Sequence, residues 1–348
     1  MLYLTTRTPN DTYTPARALA EDRAPDGGFF VPMKLPVFDK NQIRALADRN
    51  FSRNVADIIN IFFGTDLDSW SVEFAIGRYP VKHISVGSRE IVSEVWHNPV
   101  WKFDRLVRGI EKAIRQSDDV RSVSSDWLMI ASRIAVLFGI YGDLTARGVV
   151  SVEESVDVAC LSGDFSGPMA AWYAKQMGLP IGTVLCCCND NNGLWNLLHK
   201  GQIRTDAHSV ATSTPRCDIA APKGIERLIY TKLGVKSANA FAQVFRNGGT
   251  FYLDPDEQTK LREGIYVPVT GTKRLESAVR SLYNSCSYPA DVYTALCYSG
   301  MMDYRSVTGE SRQVLIVSEE SPVHSLPYLA KCLNTTPNEL KSRIDEQR

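Results

Sequence analysis

The chain has 348 residues, of which 44% are hydrophobic, and its 39 Lys and Arg residues balance 39 Asp and Glu residues. This composition predicts a globular protein of about two domains that folds without disulfides or metals. The zero net charge argues against a nucleic-acid partner, and the lack of a long apolar run or a secretory signal predicts no membrane partner and a cytoplasmic location.

The first part of the chain predicts turns followed by helices. Asp26-Gly27-Gly28 is typical of a tight turn, and it leads into an apolar pair before Pro32, which disfavours a helix. Apolar residues at three- and four-residue steps over 41–64 predict one or two amphipathic helices that end at Gly64.

Two further helical patterns follow at 105–116 and 126–142. In the second, Asp126 is a candidate N-cap residue and Gly142 a candidate stop, because a glycine often follows the last helical turn.

After about residue 150 the pattern alternates between strands and helices. Short apolar runs at 155–161, 181–188 and 314–318 predict buried strands, and helical stretches separate the first two. Pro168 fits the first turn of the intervening helix and Gly178 its end. The alternation predicts an α/β fold with a mainly parallel sheet.

The eight cysteines predict no metal or redox site. They include no CxxC pair, and the five histidines are scattered, whereas zinc requires clustered ligands. Three cysteines are consecutive at 186–188, where neighbouring strand residues point to opposite faces of a sheet. We therefore expect buried, reduced cysteines that act as small hydrophobic residues.

A glycine-containing loop between a predicted strand and helix is the strongest candidate for chemistry. Its residues are Ser162, Gly163, Asp164, Phe165, Ser166 and Gly167. A helix N-terminus presents free N–H groups and suits a phosphate, but the charge of Asp164 would oppose one. A plain turn capped by Asp164 or Ser166 explains the same residues.

Two other polar groups follow predicted strands. Asn189 lies in a loop at the carboxyl end of the 181–188 strand, where it could line a cleft or serve as a turn residue. Glu319 and Glu320 follow the 314–318 strand and fit either a site or the first turn of a helix.

The segment 95–105 gathers His97, Lys102 and Asp104 among aromatic residues. A lysine in an apolar setting can have a lowered pKa and act as a Schiff-base nucleophile. A lysine before a basic helical stretch is more often a solvated surface residue.

Several ordered segments resemble the threonine synthase family of fold-type-II pyridoxal-phosphate (PLP) enzymes. The opening through APDGGFFVP is similar to the family's N-terminal pattern, and SGDFSGPMAAWYAKQMGLPIGTVLCCCNDNNG is similar to its phosphate loop, helix and strand. The segments ATSTPRCDIAAPKGIERLIY and VLIVSEESP also have counterparts there. The resemblance implies a large parallel-sheet α/β domain preceded by a helical N-terminal region.

The departures from the family concern its catalytic lysine. The family's HGPTxAFKD motif carries the lysine that forms a Schiff base with PLP, and the corresponding segment begins at His97. An ungapped alignment puts Asp104 at the lysine position, and an acid cannot form a Schiff base. Lys102 takes that role only if the register slips by two residues.

The resemblance also implies that a domain is missing. The family places a small domain after the lysine, whereas here 105–121 alone separate Asp104 from SVSSDWLMIASR, which resembles a later family helix. We therefore expect an incomplete N-terminal region over 1–121, an α/β domain over 122–348, and no small domain.

The cofactor pocket departs from the family as well. The family's GNFG loop corresponds to residues 163–166, so Asp164 replaces a neutral asparagine. Glu319 falls where the family has a threonine near the pyridine nitrogen.

These departures predict a degenerate threonine synthase-like protein without cofactor that acts as a small-ligand-binding or interaction module. A phosphorylated or amino-acid ligand and a homodimer are its candidate partners. The alternative is an active PLP-dependent lyase for O-phosphohomoserine or a related amino acid, with Lys102 on the cofactor. A third hypothesis uses His97, Asp104 and Asp164 as acid–base groups.

Overall fold

The computed structural model describes residues 1–8, 10–76, 81–96, 103–117, 125–152 and 154–346. The strands of this part of the chain are β1 (Tyr3–Thr5), β2 (Phe30–Pro32), β3 (Lys82–Ser85), β4 (Glu90–Glu94), β5 (Val156–Leu161), β6 (Ile181–Cys187), β7 (Gln202–Arg204), β8 (Thr250–Tyr252), β9 (Ile265–Tyr266) and β10 (Val314–Ser318).

The helices form the remaining regular structure. They are α1 (Pro15–Ala20), α2 (Lys40–Arg44), α3 (Phe51–Phe63), α4 (Ser69–Ile76), α5 (Phe103–Ser117), α6 (Asp126–Ala146), α7 (Ser166–Gln176), α8 (Gly193–Lys200), α9 (Ile225–Leu233), α10 (Val235–Asn247), α11 (Pro255–Arg262), α12 (Thr272–Cys286), α13 (Val292–Thr308), α14 (Leu326–Cys332) and α15 (Pro337–Glu346).

A six-stranded sheet in the order β3-β4-β10-β5-β6-β9 is the centre of the fold. The pairs from β4 to β9 are parallel, and β3 runs antiparallel to β4 at one edge. The predicted α/β class with a mainly parallel sheet is confirmed. Short antiparallel pairs, β1 with β2 and β7 with β8, lie outside this sheet.

The sheet separates two hydrophobic cores, and the consecutive cysteines show how. Cys186 and Cys188 contribute to one core, and Cys187 contributes to the other, as the alternation along a strand predicts. Helices α3, α6 and α7 cover the first face, while α12 and α13 cover the second. All eight cysteines are free thiols.

Helix α6 begins and ends differently from the prediction. Ser125 is the N-cap, since its Oγ accepts from Leu128 N at 3.0 Å, and Asp126 instead pairs with Arg227 Nη2 at 2.5 Å. The helix does not stop at Gly142 but continues to Ala146. The missing side chain of Gly142 instead lets the backbone at Leu46 approach the helix closely. A Cβ atom there would lie 2.7 Å from the Leu46 carbonyl oxygen.

The expectation that no apolar run reaches membrane-spanning length also needs correction at α6. Within the described ranges, this helix is long and apolar enough to cross a bilayer by length and composition. Most of it is buried inside the fold, as in the core helix of a globular protein.

The connection between α5 and α6 bears on the expected domain loss. Only residues 118–125 join these two helices, and eight residues are too few for a folded domain. The proposed boundary at 121/122 stays a prediction. The sheet takes strands from both sides of it, because β10 and β5 join β4 in one layer.

Candidate functional site

A cavity of about 320 Å³ lies at the carboxyl ends of β5 and β10, between α6 and the loop before α7. Ligands of open α/β sheets bind at this edge. Much of its wall is apolar and comprises Met129, Val136, Leu137, Ala159, Cys160, Leu161, Ile219 and Val317. Its polar end is formed by Arg133, Asp164, Ser166, Arg216 and Glu319, with Gly163 and Gly167 of the loop completing the lining.

Glu319 is the centre of the polar end, where it binds two arginines. Arg133 donates from Nε to Glu319 Oε1 at 3.1 Å and from Nη2 to Oε2 at 3.0 Å, a bidentate pair. Arg216 Nη2 donates to the same Oε2 atom. The carboxylate therefore meets three charge-assisted hydrogen bonds.

The electrostatics of this cluster keep Glu319 ionised. Burial alone would raise the pKa of its carboxyl group, but the charges of Arg133 and Arg216 outweigh that effect and lower the pKa to about 2. A group with such a pKa is a carboxylate at neutral pH. It is unsuited to donate a proton there.

The cluster extends from Glu319 to the loop before α7. Arg133 Nη1 donates to Ser166 Oγ at 2.9 Å, and Ser166 Oγ donates to Asp164 Oδ1 at 2.6 Å. The Ser166 N–H donates to the same Asp164 oxygen at 2.9 Å. The N-cap of α7 is Phe165, which has no side-chain cap, so neither predicted capping residue occupies that position. The Asp164 carboxylate, one residue earlier, accepts from the first N–H of the helix in a local turn.

The loop is held in a conformation that most residues avoid. Phe165 has φ 73°, in the left-handed region, and Gly163 has φ 37°. The Phe165 side chain is 1% exposed and packs in the core, which offsets the cost of that conformation. Gly224 passes so close that a Cβ atom there would lie 2.1 Å from the Asp164 carbonyl oxygen. Packing therefore fixes the place of Asp164.

The predicted loop residues divide into two groups. Gly163, Asp164, Ser166 and Gly167 line the cavity together with Glu319. Ser162 and Phe165 are buried and are absent from the lining; the Ser162 N–H donates to the Cys187 carbonyl oxygen at 2.9 Å.

Asn189 also lies away from the cavity lining. Its Nδ2 donates to Asp218 Oδ1 at 2.7 Å and to Thr214 Oγ1 at 3.0 Å, within a buried polar network. This network holds the segment that carries Arg216. In the structure Asn189 positions that segment, and its proposed place in a ligand-binding cleft stays a prediction.

The three candidate residues of the 95–105 segment cannot be placed in the cavity. His97 and Lys102 lie outside the described residues. Asp104 lies on α5, but its side chain is likewise outside the described part. The roles proposed for these residues therefore stay predictions.

Two residues of the site, Arg133 and Arg216, were not predicted. Arg133 ends the segment SVSSDWLMIASR, whose family resemblance pointed to the helix but not to the charge. Arg216 lies in ATSTPRCDI, beside Cys217, with no local pattern that indicates a binding residue. The resemblance of both segments was the available signal.

The donors at the start of α7 are a poor fit to the phosphate of PLP. The Ser166 N–H and Oγ already donate to Asp164, and Pro168 has no N–H. Of the first three residues of α7, only Gly167 keeps a backbone N–H without an acceptor in the described part of the chain. A phosphate here would also meet the Asp164 carboxylate.

No group of three or more His, Cys, Asp and Glu side chains within the described residues is arranged to hold a metal ion. Burial raises the pKa of the Cys160 thiol in the cavity wall, so this cysteine is not an activated nucleophile.

The sequence comparisons point to threonine synthases. Residues 2–78 match the family model described as threonine synthase N terminus. The human protein Threonine synthase-like 1 is 26% identical over 177 residues, which are 50% of this chain and 24% of that protein. The threonine synthase of Eremothecium gossypii is 29% identical over 122 residues, 35% of this chain and 23% of that enzyme. The matched segments thus span about a quarter of these relatives.

The structural comparisons extend over nearly the whole chain. PLP-bound threonine synthase from Brucella melitensis has a TM-score of 0.82 at 17% identity, covering 95% of this chain and 91% of that one. Threonine synthase from yeast has a TM-score of 0.81 at 17% identity, covering 99% and 94%. The chain therefore has the fold of type II PLP enzymes. Its sequence is similar to threonine synthases over part of its length, and the predicted resemblance is confirmed.

Proposed function

We propose that this threonine synthase-like chain binds a small amino-acid-like ligand in the cavity at Glu319 and does not carry out PLP-dependent catalysis. The observation that carries the proposal is the Asp164 carboxylate, which takes both the Ser166 N–H and the Ser166 hydroxyl at the start of α7. A phosphate group would have to displace this carboxylate and would be repelled by it.

The charge balance of the cavity supports an amino-acid-like ligand. Arg133 and Arg216 face the carboxylates of Glu319 and Asp164, so the formal charges at the polar end sum to zero. The opposite wall is apolar, as in most small-molecule sites. A zwitterion with a short apolar side chain matches both features better than a dianionic phosphate ester.

The alternative is a PLP-dependent lyase for O-phosphohomoserine or a related amino acid. Its support is the fold shared with the PLP-bound enzyme of Brucella melitensis and the position of the cavity beside the 163–167 loop. It requires Lys102 to reach the cofactor. The acid–base hypothesis requires His97 and Asp104 to reach the same cavity, where Asp164 already accepts from Ser166.

The homodimer and the cytoplasmic location remain part of this proposal. Eight free thiols are consistent with a reducing compartment, because disulfides form mainly in oxidising ones.

Replacing Asp164 by asparagine should raise the affinity for inorganic phosphate and for PLP by roughly tenfold, because it removes a negative charge in contact with the phosphate position. Isothermal titration of the wild-type and D164N chains with each ligand measures this difference. Asp190→Asn is the matched control, since Asp190 is an exposed acid after β6 that does not line the cavity. Equal affinities for wild type and D164N would remove the electrostatic basis of the proposal.

The lyase alternative has its own readout. The wild-type chain is incubated with PLP, reduced with borohydride, digested and examined by peptide mass. We expect no stoichiometrically modified lysine. Complete modification of Lys102 would contradict the proposal and favour the lyase.

A further inference from the structure

A second cavity, of about 300 Å³, lies between the N-terminal segment and helices α9 and α10. Four cations line it, namely Arg7, Arg23, Lys223 and Arg246, and Glu226 is the one acid among its lining residues. The formal charge of this lining is therefore strongly positive, whereas the cavity at Glu319 is balanced.

Only one of the four cations is neutralised inside this cavity. Arg7 donates to Glu226 from Nε at 3.3 Å and from Nη2 at 3.2 Å. Within the described ranges, Arg23, Lys223 and Arg246 donate no hydrogen bond and form no ion pair. With four cations and one carboxylate, the described lining of this cavity has a formal charge of +3.

Arg23 is half-buried, whereas Lys223 and Arg246 are exposed. Burial lowers the pKa of its guanidinium group, and the like charges of Arg227 and Arg7 lower it further, while Asp126 and Glu226 oppose the change. Repulsion among cations held at short range is relieved by a bound anion.

The Asp26-Gly27-Gly28 turn contributes Gly27 to the wall of the cavity. Asp26 accepts from the hydroxyls of Thr5 at 2.5 Å and Thr8 at 2.7 Å. Gly27 has φ 76°, and a Cβ atom there would lie 2.9 Å from Arg7 Nη1. The left-handed backbone of this position therefore favours glycine, and the Arg7 guanidinium packs directly against it.

Two aromatic rings hold cations at the cavity. The Arg23 guanidinium carbon lies 3.3 Å from the Phe29 ring centroid, and Lys223 Nζ lies 4.9 Å from that of Phe245. A planar base that stacked on either ring would compete with the cation already there. The contacts therefore disfavour an aromatic ligand.

We propose that this cavity binds a small, non-aromatic polyanion with at least two phosphate-type groups. The formal charge of +3 on the described lining exceeds what a single phosphate needs, and a diphosphate fits a space of about 300 Å³. The site does not depend on the proposed function of the cavity at Glu319, with which it shares no lining residue.

Pyrophosphate is the probe for this site, measured by isothermal titration with the full chain at low salt. We expect binding that weakens as salt is added, and a dissociation constant raised roughly tenfold by each of Lys223→Gln and Arg246→Gln, both at exposed positions. Arg23→Gln should have a similar or larger effect. Lys236→Gln is the matched control, because Lys236 is an exposed lysine on α10 outside the cavity.

Three results would overturn the inference. They are no binding of pyrophosphate at millimolar concentration, an equal loss of affinity in the Lys236→Gln control, and tighter binding of ADP than of pyrophosphate. The last would place an aromatic ligand in the cavity. Unchanged thermal unfolding of the Lys223→Gln and Arg246→Gln chains shows that a lost affinity is not a lost fold.

Discussion

Replacing Trp127 by alanine should lower the free energy of unfolding by about 3–5 kcal/mol, because the change empties a large volume in the main core. Trp127 is 0% exposed, and its ring meets those of Tyr3, Phe62 and Tyr173 edge-on at centroid distances of 5.4–5.7 Å. Its Nε1 also donates to Tyr3 Oη at 3.0 Å, so the substitution removes a buried donor as well.

Urea denaturation of the wild-type and W127A chains measures this difference. Trp70→Ala is the matched control, since Trp70 is 59% exposed and stacks on Phe74 at the surface. We expect it to change the free energy of unfolding by less than about 1 kcal/mol. A loss of that small size at Trp127 would mean that helix α6 does not form the centre of the core.

Replacing Glu319 by glutamine should lower the free energy of unfolding more at neutral pH than in acid. The folded-state pKa of about 2 lies below the value of 4.5 for a free glutamate, so the carboxylate stabilises the fold above the unfolded pKa. That contribution is about 3 kcal/mol at pH 7 and falls to roughly half by pH 3, because protons then bind the unfolded chain first. It is lost completely as the pH falls through the folded pKa.

The test is the free energy of unfolding of both chains at several pH values between 7 and 3. The E319Q chain should be less stable at pH 7, and the difference should shrink as the pH falls. Glu21→Gln is the control, because Glu21 forms an exposed pair with Arg17 at 2.8 Å and such pairs contribute less than about 1 kcal/mol. A difference between wild type and E319Q that does not vary with pH would contradict the ionised cluster.

The sequence was sufficient for the strands whose residues are apolar. Runs such as VLIVS predict buried strands because they are short and rich in apolar β-branched residues, and β5, β6 and β10 confirm this. Strand β4 escaped prediction although all five of its residues are buried, because its sequence is EIVSE. Glu90 pairs with Arg305, and Glu94 accepts from Tyr288 Oη at 2.9 Å. Those partners lie about two hundred positions away.

The candidate site was likewise predicted where the signal is local and missed where it depends on distant residues. The loop before α7 was predicted because glycines and a strand-to-helix change are local signals. The sequence left two interpretations of Asp164 open, and the contact with Ser166 supports the turn interpretation. Arg133 and Arg216 meet at Glu319 through three different elements, so their convergence depends on tertiary packing that a local pattern does not encode.

The order of the central sheet has a consequence for synthesis on the ribosome. Strand β10 lies between β4 and β5, yet it is made last, long after both of its neighbours have left the exit tunnel. Until then the nascent chain has two unpaired strand edges at what becomes the middle of the sheet, a state prone to association with other chains. Premature termination before Val314 should therefore yield aggregates and chaperone clients, not a smaller folded protein.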